Sequence, residues 1–219
     1  MKEIITEIEK LNERVEEIDP RKENSLMREI ILELKEIVRD KNLVSLSAPQ
    51  IGYNKRIFII NFKGDLRTFI NPIITEVKGF ELSKEQCPSL PGKTYIRPRN
   101  NDIKVVYLTP LGKIQEQRFV GKAATVFQHE VDHLDGLLIS DIGLEIDDDF
   151  EKSSEEERLE IINAYMDSLD IKHADINKKI EEDENLKQMS DAIEFMTKVQ
   201  KGEVQFDGNV TVNKNEDDK

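Results

Sequence analysis

His129, Glu130 and His133 are the residues of this chain best suited to carry chemistry. They lie in the run Gln128-His129-Glu130-Val131-Asp132-His133-Leu134-Asp135-Gly136. Residues four apart on a helix share a face, so the two imidazoles project together and can chelate one small cation. Glu130 then stands within reach of a water bound to the same ion. In metallohydrolases with this spacing two histidines bind metal and the glutamate is the general base. The chain has three histidines, and the motif uses two of them. Two surface histidines beside a glutamate would give the same local pattern, so the surroundings must decide.

A catalytic metal site needs a third protein ligand and an open coordination position. Cys87, the only cysteine, lies in Glu85-Gln86-Cys87-Pro88-Ser89 and is the natural candidate. As a lone cysteine it forms no internal disulfide. The remaining histidine, His173, is 40 residues beyond His133 and gets no role.

The elements that must position these residues follow from hydrophobic spacing. Residues 2–40 read as helical, with Ile4, Ile5, Ile8 and Leu11 on one face, a break at Asp19-Pro20, and a second helix from Leu26 to Val38. Leu43–Ser47 is short and β-prone, and Ala48–Gly52 is turn-like. Arg56–Phe62, Thr68–Ile74, Lys104–Leu108 and Gln115–Val120 read as strands, the last two joined by a hairpin turn at Thr109–Gly112. Ala123–Leu134 reads as the helix that carries the motif, stopped by Asp135-Gly136. Leu137–Ile139 suits one more buried strand. Strands segregated from helices, rather than alternating with them, imply an α+β fold.

Composition bounds the partners. The chain is 37% hydrophobic and 35% charged, with a net charge of −13. Residues 1–146 carry 22 basic and 23 acidic residues, whereas residues 147–219 carry 10 and 22. Three regions are therefore expected: a domain over 1–146, an acidic helical extension over 147–201, and a disordered tail over 202–219. The extension should begin with a capping box from Ser153 to Glu156 and contain two helices, one to about Leu169 and one from Asp175 to Lys201. Its acidity excludes direct binding of phosphate backbones and leaves docking to a protein partner as its sharper role. No apolar run approaches a membrane span, and no signal peptide is evident, so the reading is cytoplasmic.

Three separated segments, in order, resemble the peptide deformylase family. Leu46-Ser47-Ala48-Pro49-Gln50 looks like its first motif, Glu85–Ser89 like its Glu-Gly-Cys-Leu-Ser motif, and Gln128–Gly136 like its third, over a similarity running from about residue 11 to residue 143. The resemblance implies a deformylase-like fold, with antiparallel strands around a central metal-binding helix and the C-terminal helices appended. It implies Cys87, His129 and His133 as metal ligands, typically to Fe²⁺, with Zn²⁺ or Ni²⁺ as substitutes. Glu130 is then general base and acid on a metal-activated water, and Gln50 stabilises the oxyanion. Val44, Ser45 and Gln86 become contacts to the substrate, an N-formylmethionyl peptide. Asp132 is expected to orient a ligand histidine.

The sequence also departs from that family's pattern. Leu43 and Ser45 replace glycines, and Ser47 replaces an alanine. Gln86 replaces a glycine. Pro88 stands where the family uses a backbone N–H as an oxyanion donor, and proline has none. Weakened turnover is therefore expected. Two other readings use the same residues: a degenerate relative that binds peptides with little turnover, and a zinc metallopeptidase with its third ligand downstream.

Overall fold

A computed structural model of the chain describes residues 2–181, with side chains described as far as Leu169. The compact unit that carries the motif runs from Met1 to His173. Its elements are α1 (Asn24–Asp40), β1 (Ser45–Ser47), β2 (Ile57–Phe62), β3 (Asp65–Lys78), β4 (Glu81–Glu85), β5 (Thr94–Arg99), β6 (Asp102–Leu108), β7 (Ile114–Val120), α2 (Lys122–Leu134), α3 (Ile139–Ile142), β8 (Leu144–Ile146), α4 (Asp148–Lys152) and α5 (Glu155–Glu181).

The strands form two antiparallel sheets, one ordered β1-β2-β3-β6-β7 and the other β4-β5-β8. Alternation along β2 explains the layering. Ile57 and Ile59 join Met27, Ile30, Leu34 and Ile37 of α1 in one core, while Phe58 and Ile60 point the other way. On that second face Phe58, Phe69 and Phe119 close around Phe127 of α2, with ring centroids 5.0–5.2 Å from it. Such edge-to-face and offset pairs add to the area buried. Phe127 thus anchors the back of α2 to the sheet and leaves its other face for the histidines.

Residues 2–18 do not form the helix that their spacing predicts. Apart from a 3₁₀ turn at Ile8–Lys10, they run as an irregular strap whose backbone groups bond to distant segments. Ile5 N donates to Gln50 O at 2.8 Å, Val15 N to Leu134 O at 3.0 Å, and Arg56 N to Glu16 O at 2.8 Å. Asn71, at φ 47° in the bulged part of β3, accepts from Ile18 N and donates to Ile18 O. Leu11, Val15 and Ile18 are buried at intervals that serve this docking as well as they would a helix. Tertiary contacts have overridden local preference.

Three further corrections concern the C-terminal side. Leu137–Ile139 is not a strand: Leu138 caps the short α3 by donating its N–H to Asp141 Oδ2 at 2.8 Å, and short apolar runs do not distinguish strand from helix. The capping box is shifted by one residue, joining Ser154 and Glu157. A single α5 is continuous across the region where two helices are predicted, with no glycine or proline between Leu169 and Asp175 to break it. The remainder of the second predicted helix and the tail from residue 202 lie outside the described residues. The start of α5 packs on the domain, since Tyr165 is buried and its hydroxyl donates to Ile142 O at 2.8 Å. The change in charge at residue 147 therefore falls inside the compact unit. No helix among the described residues is long and apolar enough to cross a membrane.

Gly136 ends the α2 region at φ +70°, and a Cβ there would lie 2.6 Å from the carbonyl carbon of Glu13 and 2.8 Å from Arg14 N. Only glycine permits both the left-handed turn and the close approach of the strap. Gly136→Ala should therefore lower stability by roughly 2–4 kcal/mol, from left-handed strain plus overpacking. Chemical denaturation checks this; an unchanged midpoint would show that the strap is not held at this turn.

Candidate metal and hydrolytic site

Helix α2 presents His129 and His133 on one face, their ring centroids 5.0 Å apart. Both are buried, at 8% and 2% exposure, and Glu130 is at 1%. The segment after β4 brings Cys87 to the same place, with its Sγ 3.2 Å from His133 Nε2. One donor atom from each of Cys87, His129 and His133 lies within 4.8 Å of the others. A thiolate and two imidazoles are a donor set for one first-row divalent ion.

The orientation of His129 is fixed from behind. Its Nδ1 lies 2.9 Å from Glu85 Oε2, which leaves Nε2 as the free ligand atom. Glu85 is itself held by the Arg99 fork, from Nε to Oε1 at 2.8 Å and from Nη2 to Oε2 at 3.0 Å. Arg99 Nη1 also donates to Asp132 Oδ2 at 2.6 Å, and Arg97 donates to the same carboxylate oxygen. Asp132 thus makes no side-chain hydrogen bond to a ligand histidine among the described residues, and its expected influence on His129 runs through Arg99 and Glu85. It braces Arg99, and Arg99 braces Glu85.

Electrostatics match this arrangement. Burial opposes the Glu85 charge, but hydrogen bonds from His129 and Arg99 win and hold its pKa at about 2. Burial likewise opposes a charged His129, yet its bonds to Cys87 and Glu85 lift its pKa to about 10. Burial, with the neighbouring His129, pushes His133 down to about 3. A metal ion here would take the place of the proton that Cys87 and Glu85 favour on His129. Burial raises the pKa of Glu130, opposed by the charge of His129 and by the Ser45 and Ser47 hydroxyls. Its Oε2 is buried without a hydrogen-bond partner among the described residues, as suits a carboxylate kept for a water or substrate. These features fit a resident metal ion.

Gln50, on the 3₁₀ turn Pro49–Ile51 after β1, is fully buried, and its Nε2 donates to Ser89 Oγ at 3.2 Å and points to Cys87 Sγ at 3.6 Å. A cleft of about 680 Å³ opens beside the ligands. Val44 and Ser45 line one part of it, Gln86, Cys87 and Pro88 another, and Val126 and His129 of α2 a third. The Gln86 side chain is exposed and donates to Thr94 Oγ1 at 3.0 Å. Strand β1 is an edge of its sheet, paired on one side by β2. All eight residues singled out from the sequence thus lie at the cluster or along this cleft. The residues missed are Glu85, Arg97 and Arg99. Glu85 opens the same five-residue segment as Cys87, and Arg97 and Arg99 share a strand face by their two-residue spacing, but no local signal joins them to His129.

A family model described as polypeptide deformylase matches residues 1–147. The peptide deformylase of Dictyoglomus thermophilum is 36% identical over 132 residues, which covers 60% of this chain and 83% of that protein. The fold is similar to the crystal structure of peptide deformylase from Thermotoga maritima, with a TM-score of 0.61 and 34% identity over 64% of this chain and 96% of that one. It is also similar to the Met-Ala-Ser-bound class I type b peptide deformylase from Acinetobacter baumannii, with a TM-score of 0.56 and 28% identity, over 61% of this chain and 92% of that one.

A pH dependence follows from Glu85. Its pKa falls from an ordinary 4.5 to about 2 on folding. The folded state therefore binds this proton less readily, and the contribution to stability is complete above pH 4.5 and lost as the pH falls toward 2. Acid unfolding of the metal-free protein, followed by circular dichroism, should show this loss, and Glu85→Gln should flatten it. Parallel profiles for parent and variant would mean that the Glu85 pairing contributes nothing.

Proposed function

This chain belongs to the polypeptide deformylase family, and on that premise we propose that it removes the N-formyl group from formyl-methionyl peptides, releasing formate and a free amino terminus. It is a metal-dependent hydrolase of the deformylase type. The observation that carries the assignment is the convergence of the three ligand atoms, the Gln50 amide and the buried Glu130 beside a cleft that Cys87 and His129 line. The third donor is Cys87, upstream of the helix, which sets the site apart from a metallopeptidase whose third ligand follows its helix.

Cys87, His129 and His133 would hold a single ion, Fe²⁺ in cells by this reading, with Zn²⁺ or Ni²⁺ able to replace it. When bound, it supplies Lewis acidity that polarises the formyl carbonyl and makes water a better nucleophile near neutral pH. Glu130, with its pKa raised by burial, takes the proton of the attacking water and later returns it to the departing amine. Negative charge develops on the formyl oxygen, where the Gln50 N–H can donate. Val44, Ser45 and Gln86 contact the peptide along the cleft, with the free edge of β1 available to pair with it. The relative bound to Met-Ala-Ser supports a methionine-led peptide as the occupant. By this reading the substrate is made during translation, and the cytoplasm is the proposed site of the reaction.

Formate release from a formyl-Met-Ala peptide tests this function, using protein loaded anaerobically with iron or nickel. Turnover that is lost on chelation and restored by metal is expected; a loaded protein that releases no formate would refute the assignment. Pro88→Leu restores an N–H beside Cys87 and should raise kcat roughly ten- to hundredfold, part of the factor usually lost with one oxyanion donor. A rate unchanged by Pro88→Leu would show that proline at this position costs nothing.

A further inference from the structure

A glutamine amide has a donor end and an acceptor end of nearly the same shape. Gln50 serves the proposed reaction only if its NH₂ faces Cys87 and the cleft. A half-turn about its last carbon–carbon bond would present the carbonyl oxygen instead, which cannot donate to a developing oxyanion. What prevents that turn is visible at the other end of the amide. Gln50 Oε1 accepts two hydrogen bonds, one from Ser47 N and one from Ser47 Oγ, each at 2.9 Å. Ser47 is fully buried on β1, so neither donor has water as an alternative partner. In the turned state the NH₂ would face the Ser47 N–H, which would lose its acceptor in a dry interior, and the hydroxyl would have to turn from donor to acceptor.

We propose that the Ser47 hydroxyl is a positioning group: the Ser47 N–H sets the sense of the Gln50 amide, and the hydroxyl's second bond to Oε1 holds its NH₂ toward the reacting formyl oxygen. The backbone N–H of Ser47 would be there with any residue but proline, whereas the hydroxyl belongs to this side chain alone. Its role is sharpened by Pro88, which offers no N–H beside Cys87 and leaves more of the oxyanion's stabilisation to Gln50. Ser45 and Ser47 lie on the same face of β1 and both hydroxyls act on Glu130, but the Ser47 hydroxyl also donates to Gln50. The inference rests on the deformylase reading of the site.

A double-mutant cycle on the full, metal-loaded chain tests it. Ser47→Ala should lower kcat on a formyl-Met peptide roughly three- to tenfold, the worth of one hydrogen bond, with KM unchanged. In a Gln50→Ala background the same substitution should cost clearly less, because only its action on Glu130 is left to lose. Ser47→Cys keeps the volume but only a weak donor, and should lose as much as Ser47→Ala, which separates the hydrogen bond from packing. A parental kcat in Ser47→Ala or Ser47→Cys overturns the proposal, as does an equal fold-loss in the Gln50→Ala background. If the parent releases no formate, the functional reading fails instead, and ¹⁵N relaxation of the Gln50 side-chain NH₂ decides alone. Greater mobility in Ser47→Ala would support the proposal, and unchanged mobility would overturn it.

Discussion

Helix α2 buries His129, Glu130 and His133 within one turn, and the charges this brings inside must be answered by partners from other segments. Arg99 is the hub of the charges behind them. At 3% exposure it pairs with Glu85 through two hydrogen bonds and with Asp132 through a third. Glu85 then fixes His129. Each charge in the chain needs the next one: removing a single partner from a buried pair leaves an uncompensated ion and typically costs about 3–5 kcal/mol. The network therefore binds β4 and β5 to α2 and sets the direction of one metal-ligand ring in the same step.

The rest of the unit keeps α2 where this network needs it. Phe127 is held from behind by the aromatic core of β2, β3 and β7. At the C-terminal end Arg56 donates to Leu134 O at 3.1 Å and to Asp135 Oδ1 at 2.6 Å, placing a cation where the last helix carbonyls leave partial negative charge. The strap from the N-terminus bonds the same carbonyl through Val15 N and passes against Gly136. Catalytic geometry in this fold is thus set by three independent attachments of one helix. The cleft can remain open because none of them occupies it.

The parts legible in the sequence were those whose chemistry is local. The spacing of His129 and His133 on a helix offers a metal face in any setting, and Cys87, brought beside them by the fold, is the surrounding that favours that reading. Sheet strands β2 and β6 were readable from their apolar runs, and β7 from the hairpin turn that joins it to β6. The Glu85–Arg99–Asp132 network was not, because its members are joined by strand pairing that no short window contains. The strap at residues 2–18 misled for a related reason. Its buried Leu11, Val15 and Ile18 fit helical spacing, yet the backbones of Val15, Glu16 and Ile18 are satisfied by Leu134, Arg56 and Asn71 far along the chain. At Asp132 the expected neighbour was a ligand histidine, and the one found is Arg99, one step further out.

The central claim is that metal holding and proton transfer are separate tasks, divided between the Cys87–His129–His133 set and Glu130. The most direct measurement compares bound metal and formate release in Glu130→Gln with those in the parent. Retention of one metal ion per chain with formate release lowered at least about hundredfold is the predicted result, the scale of removing a general base. A Glu130→Gln protein that still turns over at the parental rate, or that loses its metal along with its activity, would contradict that division.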